Sequence, residues 1–247
     1  LMGAGMYGLN GVNPKVSIAM INTYVMPAVM HGLETLRLTS SDYKEMATYH
    51  QKLLRNIMHL PQATALPALY LMTGSLPMEA IHHRNTLTFF VNMLNRKESV
   101  EREVIIRQLA MKNMDSNSWV ILVRELLYKY QLPSAFQLAD NPPRKAAWKL
   151  RVKRAINHHW YSKLKKEASD KSTLKYLNTE ACEPGKVHPV WICGSDAMDV
   201  TKAATKARMM VQRYGIASNH SAGRNKSDTC PLCQKDPETM PHFLLNC

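Results

Sequence analysis

The sequence predicts a mainly α-helical fold. Apolar residues recur at three- and four-residue intervals over most of the chain, the repeat of a helix with one buried stripe. Proline, glycine and Ser/Thr/Asp capping residues interrupt that repeat at helix-length intervals. A dense Cys/His cluster at 229–247 then marks off a small C-terminal module. With 247 residues there is room for one large domain or two ordinary ones, and 45% apolar content is enough for a real core.

Asn13-Pro14 reads as an N-cap followed by proline at the first helical position. The helix it opens runs towards Gly32, with a bend or break expected at Pro27. A second helix starts near 39–42, where Asp42 and Glu45 suit the positive helix end. Its stripe is Tyr43, Met46, His50, Leu53, Ile57 and Leu60, and Pro61 stops it. A short helix fits 68–73, closed by Gly74. Ser75 and Pro77 open another, carrying Ile81, Leu87, Phe90 and Leu94. Two amphipathic runs follow, at 100–111 and 119–130. The run Asp140-Asn141-Pro142-Pro143 is a break and the best candidate for a domain boundary.

Beyond that break Trp148, Val152, Ile156, Trp160 and Leu164 recur every four residues, which predicts one apolar face on a long helix. Segment 186–194 reads as short and extended, and 200–214 as a further basic helix. A polar link at 218–228 leads into the final module. There is no internal repeat, no coiled-coil heptad and no run of 18 apolar residues, so no membrane span is expected. The chain begins at Leu1 and ends on a cysteine of the final cluster, which leads us to expect a fragment of a longer protein.

The final module reads Cys230-x2-Cys233-x8-His242-x4-Cys247, the ligand set of a Cys3His zinc site. A Cys-x2-Cys pair lets one tight turn offer two thiolates, with Pro231 helping to set it, and a short helix could present His242 and Cys247 together. Four protein ligands leave no position for water, so such a Zn2+ ion is structural: it folds a module and hydrolyses nothing. With most of its five cysteines in this pattern, the chain is no disulfide scaffold, and an intracellular setting is expected.

Net charge is +13, with a pI of about 9.6, which points to a polyanionic partner. The excess is concentrated at 144–166, where Arg144, Lys145, Lys149, Arg151, Lys153, Arg154, Lys163, Lys165 and Lys166 occur without one acid. Stable surface helices usually interleave signs, because like charges four apart repel. Uncompensated repulsion is tolerable where phosphates neutralise it, so this segment is read as a nucleic-acid contact. Trp160 and Tyr161 could stack on bases, but Trp160 belongs to the apolar stripe and core packing is the better reading of it.

Other motifs carry less. Gly3-x-Gly5-x-x-Gly8 matches a dinucleotide fingerprint as a string but has no strand before it; with Gly11, these glycines read as a connector. His50 reads as a half-buried histidine bonded to backbone. The neighbours His82-His83 and His158-His159 point about 100° apart on a helix and cannot easily chelate one ion. His188 with Cys193 could make half of a second site, but Cys182 and Cys193 are read as structural thiols. No nucleophile elbow, P-loop, two-metal carboxylate pair or Tyr/Phe-x-Asp-Asp turn is present, so no catalytic residue is assigned.

The final window closely resembles the zinc-binding module of reverse transcriptases from non-LTR (LINE-type) retrotransposons: Cys-Pro-Leu-Cys, the pair Glu238-Thr239, His-Phe-Leu, and a last Cys. The start of the chain is similar to that family's thumb, through Leu-Met-Gly-Ala-Gly-Met-Tyr-Gly-Leu-Asn-Gly-Val-Asn-Pro, then Thr23 to Pro27 and His31-Gly32-Leu33-Glu34. Lys52-Leu53-Leu54-Arg55, Leu60-Pro61 and Gly74-Ser75-Leu76-Pro77 resemble the linker. The resemblance implies a thumb-like region at 1–61, a helical linker at 62–141, a basic helical segment at 142–217 and a zinc-binding module at 218–247. It implies part of an RNA-directed DNA polymerase whose catalytic palm lies upstream of Leu1. Such enzymes nick target DNA and copy their RNA in place, so the implied partners are RNA, DNA and the rest of the polymerase, and the implied site of action is the nucleus. The alternatives are a zinc-stabilised helical protein-interaction module and an inactive retroelement relic.

Overall fold

The computed structural model describes residues 12–194, 196–216 and 227–247, and the structural statements below concern those residues. Gly3, Gly5, Gly8 and Gly11, and most of the 218–228 link, lie outside them. The described chain is mainly helical, and its one β-bridge pairs Thr229 with Pro237. No described helix is long and apolar enough to cross a membrane.

The first helical stretch is α1 (Pro14–Met20), a π-helical segment (Ile21–Val25) and α2 (Met26–Val29). Asn13 caps it, its Oδ1 accepting from the Lys15 N–H at 2.8 Å. The bend expected at Pro27 takes the form of that π segment, just before a residue with no N–H to give. Gly32, at φ 80°, then turns the chain. Next is α3 (Ser40–Ile57), opened by a reciprocal cap between Thr39 and Asp42. It is followed by α4 (Leu66–Thr73), α5 (Met78–Leu94), α6 (Val100–Met111), α7 (Trp119–Lys129) and α8 (Ala135–Asp140). Side chains of Ser99, Ser118 and Ser134 cap α6, α7 and α8. The long helix is α9 (Lys145–Ser169), and α10 (Ala197–Met210) is capped by Asp196.

Segment 186–194 is not extended. It carries a 3-10 turn, Pro189–Trp191, because the His188 side chain accepts from the Val190 N–H and proline fixes the first turn residue.

The described chain forms two compact units, each discontinuous in sequence. One comprises Leu1–Met20, Gln51–Ser75 and Leu164–Cys247, the other Ile21–His50 and Leu76–Lys163. These units cut across the sequence segments named above, and their borders fall within α3 and α9 as well as between helices. The Asp140–Pro143 break is a turn inside the second unit, where the Asn95 side-chain amide donates to the Pro143 carbonyl at 3.0 Å.

The first unit is built on α4, whose residues from Pro67 to Thr73 are all buried. Its closing residue Gly74 sits at φ 67°, and a Cβ there would overlap the Lys186 backbone. That close approach lets the Gly185 N–H reach the Gly74 carbonyl and the His188 N–H reach the Met72 carbonyl, both at 2.9 Å. Asn13 is anchored in the same unit, its amide donating to the carbonyls of Cys193 and Gly194.

The second unit packs around α5, with Ala80, Leu87, Phe90, Val91 and Leu94 fully buried. Three indoles reach this core and each finds an acceptor: Trp119 the Glu34 carbonyl, Trp148 the Leu87 carbonyl, Trp160 the Tyr130 hydroxyl. A buried ring whose N–H is satisfied contributes on the order of 4 kcal/mol by area.

Candidate metal centre and basic helix

In the C-terminal module the Thr229–Pro237 bridge folds 230–236 into a knuckle, with Cys230 N–H donating to the Asp236 carbonyl at 2.8 Å and Gln234 N–H to the Cys230 carbonyl at 2.9 Å. Gln234 takes a positive φ of 54°, which lets the knuckle close without glycine. Backbone N–H groups then face the sulfurs. Those of Asp236 and Lys235 hold the Cys233 thiol down at about 6, and those of Cys233 and Leu232 lower Cys230. The knuckle therefore favours thiolates, the form a metal takes.

The other two donors come from a π-helical turn, His242–Asn246, closed by the Cys247 N–H on the His242 carbonyl at 2.9 Å. This explains the five-residue spacing. On an α-helix two such residues would lie about 140° apart, whereas a π turn brings residue i+5 back above residue i. Bonds to the Cys230 sulfur push Cys247 up to about 11 and raise His242.

The four ligand atoms all lie within 4.8 Å of one another. Cys230 Sγ is 3.7 Å from Cys247 Sγ, and Cys233 Sγ is 3.3 Å from His242 Nε2. A tetrahedral zinc ion sets such separations at about 3.8 Å for two sulfurs and about 3.5 Å for sulfur and nitrogen. Cys230, Cys233, His242 and Cys247 are thus close enough to hold a metal ion, with a donor set compatible with zinc. The module stays in touch with the chain before it through Phe243, whose ring lies 6.0 Å from that of Tyr214.

On α9, Trp148, Val152, Ile156, Trp160 and Leu164 are all buried, as their spacing predicts, and so is Tyr161. Their stripe is not straight. Each four-residue step turns it by about 40°, so it winds around the helix and bases flank it on both sides. Neither Trp160 nor Tyr161 is offered to a base.

Arg144, Lys145, Lys149, Arg151, Lys153 and Arg154 are exposed, lie in the second unit, and form no ion pair with a described residue. Lys163 in the same unit stands over the Trp160 ring at 5.0 Å. Lys165 and Lys166 belong to the first unit, where Lys165 pairs with Glu180 at 3.8 Å. Seven of the nine bases, those six and the exposed Lys166, thus have no carboxylate partner among the described residues.

The remaining candidates resolve as structure. His82 Nε2 donates to the Leu33 carbonyl while Nδ1 takes the Tyr43 hydroxyl proton. His50 is buried outright rather than half-buried. Burial raises the Cys182 thiol to about 11, and His188 caps its own turn. Sequence reading passed over a cleft of about 530 Å³ in the second unit, lined by Arg84, Asn85, Thr88 and Asn92 of α5 and by Lys149 and Lys153 of α9. The signal was there: a polar stripe along an otherwise apolar helix.

Comparison of the chain with protein-family models, with curated proteins and with solved structures returns no match.

Proposed function

We propose that this chain binds nucleic acid as the C-terminal region of a retroelement reverse transcriptase, gripping RNA or target DNA while a structural zinc ion folds its last module. The observation that carries the reading is the set of six exposed bases, Arg144 to Arg154, without a carboxylate partner. Held on α9 and the residue before it, in water they repel one another; beside phosphates they release counterions and gain affinity. The zinc ion would be held by Cys230, Cys233, His242 and Cys247. With four protein ligands it organises the knuckle and offers no open position for a substrate. The parent enzyme rests on the resemblance of the two ends of the chain, and RNA-directed polymerisation would need a palm that this chain does not contain.

The test is a salt titration of binding to a duplex and to a structured RNA. The wild type is expected to lose affinity steeply with salt, and the Arg151→Ala/Arg154→Ala pair to bind more weakly with a log–log slope smaller by about 2. A flat wild-type slope sinks the reading. That outcome would favour protein binding by the C-terminal module, whose Leu232 and Leu245 are 72% and 82% exposed.

A further inference from the structure

Arg84 is out of character for its position. It lies on α5, between the buried His83 and Thr86, and is itself only partly exposed. Burial holds its guanidinium below the ordinary value. A guanidinium drawn from water normally has a carboxylate to repay the loss. Arg84 forms no ion pair with a described residue, and its cleft adds two more cations, Lys149 and Lys153. Glu34 is the one acid on the wall, so the cleft carries an uncompensated positive charge. Beside the cations stand the amides of Asn85 and Asn92 and the ring of Phe89.

We propose that this cleft seats one nucleotide of a single-stranded nucleic acid, with Arg84 forked onto its phosphate, Lys149 and Lys153 at the rim, and Asn85, Asn92 and Phe89 beside its base and sugar. The proposal rests on the nucleic-acid reading above and gives it a strand preference. Arg84 suits a phosphodiester because its planar fork meets two oxygens at once. The volume of about 530 Å³ is that of a small-molecule pocket and holds a nucleotide, not a helix. A duplex keeps its phosphates on the outside of a stiff rod and cannot lower one into such a space. A single strand can, and a cationic groove beside an aromatic face is how sequence-tolerant single-strand binding is built.

The experiment is fluorescence anisotropy on the full chain, with a twelve-nucleotide single-stranded RNA and a duplex of the same sequence at one salt concentration. Arg84→Gln, checked for fold by circular dichroism, is expected to weaken the single strand about tenfold and the duplex less than twofold. Arg151→Ala/Arg154→Ala is expected to weaken both alike. If Arg84→Gln does not fold, Lys149→Ala/Lys153→Ala replaces it, with the single strand losing at least threefold more than the duplex. Equal losses on strand and duplex, or no loss on either while Arg151 and Arg154 still matter, overturn the cleft and leave the general reading standing. No binding of either nucleic acid by the wild type overturns both. AMP is the free-nucleotide arm: Arg84-dependent binding of AMP without an Arg84 effect on the strand overturns the strand assignment.

Discussion

His83 Nδ1 lies 2.7 Å from the Tyr130 hydroxyl, and that oxygen already accepts the Trp160 indole N–H at 2.9 Å. Ring and phenol thus share a short buried hydrogen bond, and burial favours the neutral form of the ring. Burial, helped by Lys129, holds His83 down at about 3, and burial alone holds His50 at about 4. Both groups bind protons more readily once unfolded, so the stability of their neutral burial is complete above about pH 6.5 and is lost as pH falls towards those values. Each contributes up to about 2 kcal/mol of destabilisation between pH 6.5 and 5. Thermal melts from pH 7.5 to 5 should show a falling Tm, with a shallower fall in His83→Gln. Parallel curves for the two proteins would show that His83 does not carry the effect. Comparing slopes removes the share due to the metal ligands, which acid also protonates.

At the scale of elements, the metal module depends on a knuckle and a π turn that share no ligand. Cys233→Ser should abolish a zinc stoichiometry of one per chain, measured by atomic absorption on purified protein. The described α-helices all lie outside this module, so the helical signal in circular dichroism should change little. Retention of a full zinc equivalent by the variant would remove Cys233 from the ligand set. The ligands were legible because chemistry restricts them to Cys and His at short spacing. The π turn was not, because i+5 spacing alone fits several backbones until bond partners are known. Bounds of α6 were legible through Ser99 and the run after it. The six residues of α8 were overlooked although Ser134 and Gln137 spell a capping box, since a run that short shows no periodicity. Arg84 went unread for a related reason: the polar stripe it shares with Asn85, Thr88 and Asn92 lines a cleft only once Lys149 and Lys153 are folded beside it.

Across the whole molecule, contiguous segments and compact units do not coincide. Helical stretches and the Asp140–Pro143 turn are local properties, and composition reveals them. Which stretches condense together depends on contacts distant in sequence, such as Trp148 on Leu87 or His188 on Met72, and no periodicity encodes those. A polypeptide of residues 1–143 would therefore leave both units unfinished, the second without Trp148 and the first without all that follows Leu164. Its urea unfolding should be broad and its m-value well below that of the full chain. A sharp transition of full-chain steepness would show that residues 1–143 fold alone. The placing of α4 adds a consequence in time. A growing chain releases this apolar helix early, yet the stretch at Gly185–His188 that seats on its end is made roughly 115 residues later. At about 5–20 residues per second, α4 waits some 6–23 s for that cover. During synthesis it is the segment a chaperone would find, long after α5 has met its nearest neighbours.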